Sequence, residues 1–519
     1  MTPAFDRCTI PGVLREQAAL YPDAVALIFE GRSTTYAELE RRTNQIANAF
    51  RAAGLRPGDR VAHLGKNSDR FFELLIGAAK AQVIFVPLNW RLARPELQYV
   101  LRDAEPTILF VGAEFISEID PLTAEAPIRH IVALEDSQSV FESYTHWYAK
   151  VLDTPPESPP PIDQVVLIMY TSGTTGWPKG AMLSHRSVLR IADSHPIEDP
   201  EWFVWTHGEV ALIAMPTFHI GGTGQGLRAL KGGASAVILR EFAVDTVLAA
   251  VAQFRVNKLF LVPSAIQAVI QHPSLATTDY SCLRYILYGA SPIPIDLLRK
   301  AMTAFGCRYV QMYGSTETSG TVVALSPEDH VAASNSLLST AGRALPGVEI
   351  KIIDEEGRVL PVDAPGEIVV RSVANMVGYW RLPDETAKAI DTDGWLRTGD
   401  IGSLDADGYL RVRDRLKDMI ISGGENVYPA EVENAIYGHP AVSEVAVIGL
   451  PHPRWGEAVT AIVVPKAGFT GEGDAIIAWA RARIAAYKAP KTVHFVESLP
   501  RNASGKILRR SLRDTFSER

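Results

Sequence analysis

Tyr170-Thr-Ser-Gly-Thr-Thr-Gly-Trp-Pro-Lys-Gly180 follows the apolar run Val165 to Tyr170. A short apolar run bounded by turn residues reads as a buried strand. It ends in a loop with four hydroxyls (Thr171, Ser172, Thr174, Thr175), three glycines (Gly173, Gly176, Gly180) and Lys179. Glycines permit backbone conformations that turn several N–H groups inward, a nest suited to phosphate oxygens. The hydroxyls add donors, and Lys179 adds a point charge. The loop is not a Walker A motif: GxxxxGK[ST] is not met, and Pro178 stands where that motif would start its helix.

Outward from this loop, the first third alternates strands and helices. Thr35 is a helix N-cap with Glu38 three residues on as capping-box partner, and Leu39, Ile46, Ala47 and Phe50 recur at helical spacing. A strand at Val61 to Leu64, a helix from Arg70 to Ala81 and a buried strand from Val83 to Pro87 come next. This alternation predicts an α/β fold of layered subdomains with parallel sheets covered on both faces. The Pro-rich stretch 154–161 is a stiff surface connector. Over 340–415 the pattern changes to short β-like runs at Glu349 to Ile353, Gly366 to Arg371 and Tyr409 to Val412, an antiparallel sheet or small barrel. A boundary near Asp414 to Asp418 divides a large part, 1–416, from a small α+β part, 417–519. No repeat of 20–50 residues is visible in the sequence.

The 519 residues are 47% apolar and 21% charged, which excludes disorder, collagen and disulfide-scaffold classes. A net charge of −8 and a pI near 5.9 give no global electrostatic reason to bind nucleic acid. The charge is −9 over 1–417 and +1 over 418–519, whose basic tail carries six basic and two acidic groups in the last 19 residues. Cys8, Cys282 and Cys307 are odd in number and scattered, with no CxxC pair, which fits a reducing compartment. No secretory signal and no stretch near the roughly 20 apolar residues of a membrane span is visible, so a cytoplasmic location is expected. Peripheral membrane contact and a homodimer both stay open.

The quoted loop matches the signature of the adenylate-forming superfamily, which includes acyl-CoA synthetases, luciferases and peptide-synthetase adenylation domains. Four further segments follow in family order. Gln311-Met-Tyr-Gly-Ser-Thr-Glu317 resembles the adenine and magnesium segment, and Thr398-Gly-Asp400 the ribose-binding aspartate. Asp414-Arg-Leu-Lys-Asp-Met-Ile-Ile-Ser-Gly-Gly-Glu-Asn-Val-Tyr-Pro429 resembles the hinge, and Pro500-Arg-Asn-Ala-Ser-Gly-Lys-Ile507 the segment with the catalytic lysine. The resemblance spans essentially the whole chain. It implies an ATP-dependent acyl-CoA synthetase that uses ATP, Mg2+ and CoA on a carboxylic acid.

The residues suit that chemistry. Joining a carboxylate to AMP brings two anions together, which calls for cations and aligned donors more than for a base. Lys179 and the hydroxyls face phosphate, and Thr171 with Glu317 offers hard oxygens to Mg2+. Tyr313 can stack on adenine, in a segment that includes Gln311, Gly314 and Thr316, and Asp400 can accept two bonds from ribose. By resemblance, Gly289, Ala290 and Ser291 lie beside the same adenine, Arg415 contacts the nucleotide, Lys417 is the hinge, and Lys506 steadies carboxylate and α-phosphate. By the same resemblance, Gly423 and Gly424 line a pantetheine tunnel, with Trp455, Tyr487 and Lys491 on the CoA side. By the same resemblance, His219 stands at the mouth of an acyl pocket, from whose wall Gly221, Gly222 and Gly224 remove side-chain bulk. A medium- or long-chain fatty acid is the first expectation and an aryl acid of cinnamate type the second. Phe218-His219-Ile220 lacks the aspartate that peptide-synthetase domains place in that pocket. A non-catalytic nucleotide or acyl sensor is the reading from another class, and the presence of Lys506, Glu317 and Asp400 weighs against it.

Overall fold

A computed structural model describes residues 7–124, 126–135, 140–156, 159–171, 177–192, 197–331, 335–415, 418–422, 425–469, 472–501 and 507–517, with backbone alone for Asn335 and Arg415. Among the described residues the strands form four sheets, of nine, eight, four and five strands. No described helix is long and apolar enough to cross a membrane.

The two large sheets are parallel at their centres, as the strand–helix alternation predicts. In the nine-stranded sheet, Val210–Ile213, Lys258–Leu261, Tyr285–Gly289 and Arg308–Ser315 run parallel, and Gly320–Leu325 closes back antiparallel. In the eight-stranded sheet, Val165–Thr171 lies parallel to Ile84–Pro87 and antiparallel to Lys179–Ser184. Between the sheets lie the helices Tyr36–Ala52, Asp69–Ala81 and Ile220–Lys231. Their apolar faces meet Leu27, Phe29 and Ala211 from one sheet and Val61, Phe85 and Leu167 from the other in one core. Burying such a Leu or Phe side chain is worth about 1.5–3 kcal/mol, so this layer is the main source of cohesion.

Local signals act as read. Thr35 Oγ1 accepts from Glu38 N at 3.2 Å while Glu38 Oε2 accepts from Thr35 N at 3.0 Å, a complete capping box. The helix expected at Arg70 begins at Asp69, because Ser68 caps it through Phe71 N. The strand expected from Val83 begins at Ile84. The Pro-rich connector is pinned where it starts: Asn48 Nδ2 donates to Leu152 O at 2.8 Å and Thr154 O at 2.9 Å.

The change in pattern after residue 340 corresponds to the antiparallel sheet Val348–Ile353, Gly366–Ser372, Leu396–Leu404 and Leu410–Arg415. Residues from 420 onward form the remaining sheet, built on the long pair Val442–His452 and Gly456–Pro465. Its core of Ile420, Val432, Val447 and Ile476 is separate from the others.

Candidate active site

Thr171 and Lys179 are cross-strand partners, so the quoted loop closes a hairpin with these two side chains at its mouth. Ser172, Gly173, Thr174, Thr175 and Gly176 lie outside the described residues. Glu317 arrives from the other large sheet, in the turn after Arg308–Ser315. Its Oε1 accepts from Thr171 Oγ1 at 3.2 Å and from the Tyr379 hydroxyl at 3.2 Å. Its Oε2 accepts no hydrogen bond among the described residues. The two large sheets therefore meet where the Glu317 carboxylate and the Thr171 hydroxyl converge at the mouth of this hairpin.

Lys179 forms an ion pair with Glu385 on the helix Pro383–Ala389 and stands 5.3 Å over the Tyr379 ring. Lys388 bonds the other oxygen of Glu385 at 2.7 Å. The hydrogen bonds from Lys179 and then Lys388 pull the Glu385 carboxyl down to about 2. Tyr379 and Glu385 escape motif reading. They reach the site because Gly378–Tyr379 adds as an edge strand to Lys179–Ser184, a pairing between residues almost two hundred positions apart. The one local signal was Gly378-Tyr-Trp380, a glycine followed by two aromatics.

The nucleotide candidates fall into two connected pairs. Tyr313 donates its hydroxyl to Asp400 Oδ2 at 2.8 Å, and Asp400 N is fixed on Thr398 Oγ1 at 3.1 Å. The Tyr288 hydroxyl donates to Gln311 Oε1 at 3.3 Å across parallel neighbouring strands. Gln311 and Tyr313 point to the same side of their strand, with Glu317 beyond its end. Gly289 and Gly314 are places of close approach: a Cβ would collide with the carbonyl oxygens of Met312 and Gly320 respectively. Ala290 is exposed in the left-handed region at φ 68°, and Ser291 follows it. Thr316 shapes the turn by accepting from Ser319 N at 2.9 Å. The backbone of Arg415 lies opposite Asp400 in register.

His219 caps the helix Ile220–Lys231, and its ring lies 4.6 Å from that of Phe218. Gly221 faces the Phe260 ring, where a Cβ would sit 3.3 Å from it, and beside Gly224 a Cβ would meet nothing nearer than Ile220 at 3.9 Å. Gly222 corrects the sequence reading. It is buried, and a Cβ there would collide with the Pro216 carbonyl, so it is small to seat the helix rather than to leave pocket room.

Trp455, Tyr487 and Lys491 are gathered in the small sheet's region. Lys491 Nζ lies 5.8 Å over the Trp455 ring and donates to the carbonyls of Tyr487 at 3.0 Å and Ala489 at 3.1 Å. Its ammonium is thus already holding backbone, whereas the Tyr487 side of the cluster is 42% exposed. Lys417, Gly423, Gly424 and Lys506 lie outside the described residues, as does the Arg415 side chain.

A model of the AMP-binding enzyme family matches residues 14–380, and one of that family's C-terminal domain matches 431–506. The chain belongs to the AMP-binding enzymes. Among its relatives, a fatty acid–[acyl-carrier-protein] ligase of Streptomyces coeruleorubidus is 43% identical, over 95% of this chain and 94% of the relative. A feruloyl-CoA synthase of Amycolatopsis is 41% identical, over 96% and 97%. The ATP-bound crystal structure of MatB from Rhodopseudomonas palustris matches with a TM-score of 0.88 at 31% identity, covering 98% of this chain and 99% of that one. As an AMP-binding enzyme the chain has its family's two-part α/β architecture, and the loop between Thr171 and Lys179 falls within the matched residues.

Proposed function

We propose that this AMP-binding enzyme is an acid–thiol ligase. A carboxylate oxygen attacks the α-phosphorus of ATP, forming acyl-AMP and releasing pyrophosphate; the thiol of CoA then attacks the acyl carbon, forming a thioester and releasing AMP. The observation that carries this reading is the convergence of Lys179, Thr171 and Glu317 at one loop mouth, with Tyr313, bonded to Asp400, on the strand that leads to Glu317. A cation, two hydroxyl donors and an acceptor for sugar hydroxyls are the inventory that a nucleoside triphosphate needs.

The donor set fits Mg2+. Glu317 keeps Oε2 without a hydrogen bond among the described residues, and Thr171 supplies a second hard oxygen. Bound there, the ion supplies neutralisation of phosphate charge. Lys179 exchanges Glu385 for a phosphate oxygen, Asp400 holds the ribose, and Tyr313 lies under adenine while orienting Asp400. His219 lies at the acyl pocket mouth. Lys506 bridges carboxylate and α-phosphate in the first step. Residues 417–519 then rotate about Lys417, with Arg415 beside the nucleotide, to bring Gly423, Gly424, Trp455 and Tyr487 to CoA, a domain closure in the sense of a hinge.

A medium- or long-chain fatty acid is the proposed substrate, in keeping with the 43% identical fatty-acid ligase. An aryl acid is the second reading, favoured by the 41% identical feruloyl-CoA synthase and by Phe260 facing Gly221. The test is AMP formation across fatty and aryl acids with CoA, with a phosphopantetheinylated carrier protein, and with neither. CoA-dependent AMP release is expected. Stoichiometric nucleotide binding without turnover would instead identify a sensor, and turnover only with the carrier protein would replace CoA as acceptor.

A further inference from the structure

Ile220, Gly224 and Arg228 recur every four residues on the helix Ile220–Lys231, which His219 precedes, so they share one face of it. Gly320 lies against the start of that face, a Cβ there sitting 3.7 Å from Ile220, and Gly224 leaves open space one turn further on. One more turn brings Arg228. Its guanidinium lies 4.5 Å over the Phe203 ring, but it makes no hydrogen bond or ion pair among the described residues. It sits deep in the molecule, where burial pushes its pKa down to about 10, yet it keeps accessible surface.

Its neighbours do not neutralise it. Arg190, stacked on the same ring at 5.1 Å, donates to Thr321 O at 3.3 Å and Pro346 O at 2.8 Å, while its buried Nε has no hydrogen-bond partner among the described residues. Lys231 donates to Leu189 O at 3.0 Å. Against these three cations stands, among the described residues, the carboxylate of Asp199, 3.4 Å from Arg190. A cation at a helix C-terminus gains from the helix dipole, which accounts for Lys231 and in part for Arg228. It does not account for a guanidinium this far inside the molecule whose accessible donors meet no acceptor among the described residues.

We propose that the acyl pocket runs along this helix face and ends at Arg228, so that the acid this enzyme selects carries an oxygen acceptor at the end far from its reacting carboxyl. This rests on the ligase reading above and narrows its substrate from plain fatty or aryl acids to medium-length ones that carry such an oxygen. Eight residues separate Ile220 from Arg228, about 12 Å along the axis, and the Arg228 side chain leans back toward the helix start and shortens the gap. A chain of some six to ten carbons, or one aryl ring with a short linker, spans it. A planar guanidinium lying on an aromatic ring presents its N–H edges sideways to a carboxylate, phenol or ketone oxygen.

The experiment measures pyrophosphate release for matched pairs: α,ω-dicarboxylic acids against monoacids of equal length, and 4-hydroxycinnamate against cinnamate. In the wild type the acid with the distal oxygen should have the lower KM in at least one arm. The diacid arm responding alone assigns a carboxylate, and the hydroxycinnamate arm alone a phenol. Arg228→Leu should raise KM for the favoured acid roughly 10- to 100-fold while leaving its unsubstituted partner within about twofold. Arg228→Lys should recover part of the loss for a diacid. Equal KM values within both wild-type pairs would overturn the proposal, as would an equal effect of Arg228→Leu on both members of a pair. If Arg228→Leu does not fold, the wild-type pairs decide alone. If unsubstituted acids turn over without any preference, this inference falls and the ligase reading stands; if no acid releases pyrophosphate, both fall.

Discussion

Glu317 accepts two hydroxyl protons on one oxygen, from Thr171 and Tyr379, and this leaves its other oxygen for a cation. Glu317→Gln keeps the shape and removes the charge. Pyrophosphate release should fall about 100-fold or more, the usual scale for losing one electrostatic contact to a developing charge. Lys179 poses a sharper question, because Glu385 already holds it. Since the Glu385 carboxyl is held near 2, it stays ionised, and available to Lys179, at every pH at which the protein would be assayed. If Glu385 only competes with phosphate, Glu385→Gln lowers the KM for ATP severalfold while Lys179→Ala raises it. An increase in both variants would instead make Glu385 a positioning partner. Asp400→Ala, which also removes the carboxylate that accepts from the Tyr313 hydroxyl, should raise the KM for ATP roughly 10- to 100-fold. Thr171, Lys179, Glu317, Tyr313 and Asp400 were legible in the sequence because their chemistry sits in compact motifs. Tyr379, Glu385 and Arg228 were not, since each acquires its surroundings from segments distant in the chain.

Elements were legible wherever a local device sets them. The Thr35–Glu38 capping box was readable because both partners lie within one turn, and Thr35→Ala should cost about 1 kcal/mol of stability in urea unfolding. Gly222 is the counterexample. Three glycines in four positions read as pocket room, but one of them answers to the Pro216 carbonyl, a contact that depends on how the helix docks. Gly222→Ala should therefore lower stability by about 1–3 kcal/mol through overpacking, with little change in acid preference among molecules that remain folded. Gly224→Ala enters the open space beside Ile220, so it should alter acid preference and leave the urea midpoint nearly unchanged. The reverse pattern would exchange the two roles.

At the scale of the whole molecule, strand–helix alternation conveyed the architecture but not the pairing. Val25–Phe29 lies parallel to Ser235–Ile238, with Leu27 opposite Ala236, a register between segments some two hundred residues apart that no local pattern specifies. Two buried histidines couple this body to pH. Burial pulls both His63 and His185 from 6.5 to about 4, and His185 Nδ1 accepts from Ile10 N, which requires the neutral ring. Unfolding frees them to protonate below about 6.5. Their contribution is thus complete above that pH and is lost as pH falls toward 4, by up to about 3 kcal/mol for each. Urea midpoints between pH 7 and 4.5 should show this slope, and His63→Leu should flatten it. The net charge of −8 takes no part in holding anionic substrates on this account; local cations do that work, with Lys506 foremost. On the proposed scheme one site serves two half-reactions, with Lys506 needed in the first alone. The most direct measurement compares wild type and Lys506→Ala in both: pyrophosphate release from acid and ATP, and thioester formation from supplied acyl-AMP and CoA. The first should nearly vanish while the second persists; equal loss of both would rule out separate poses for the two half-reactions.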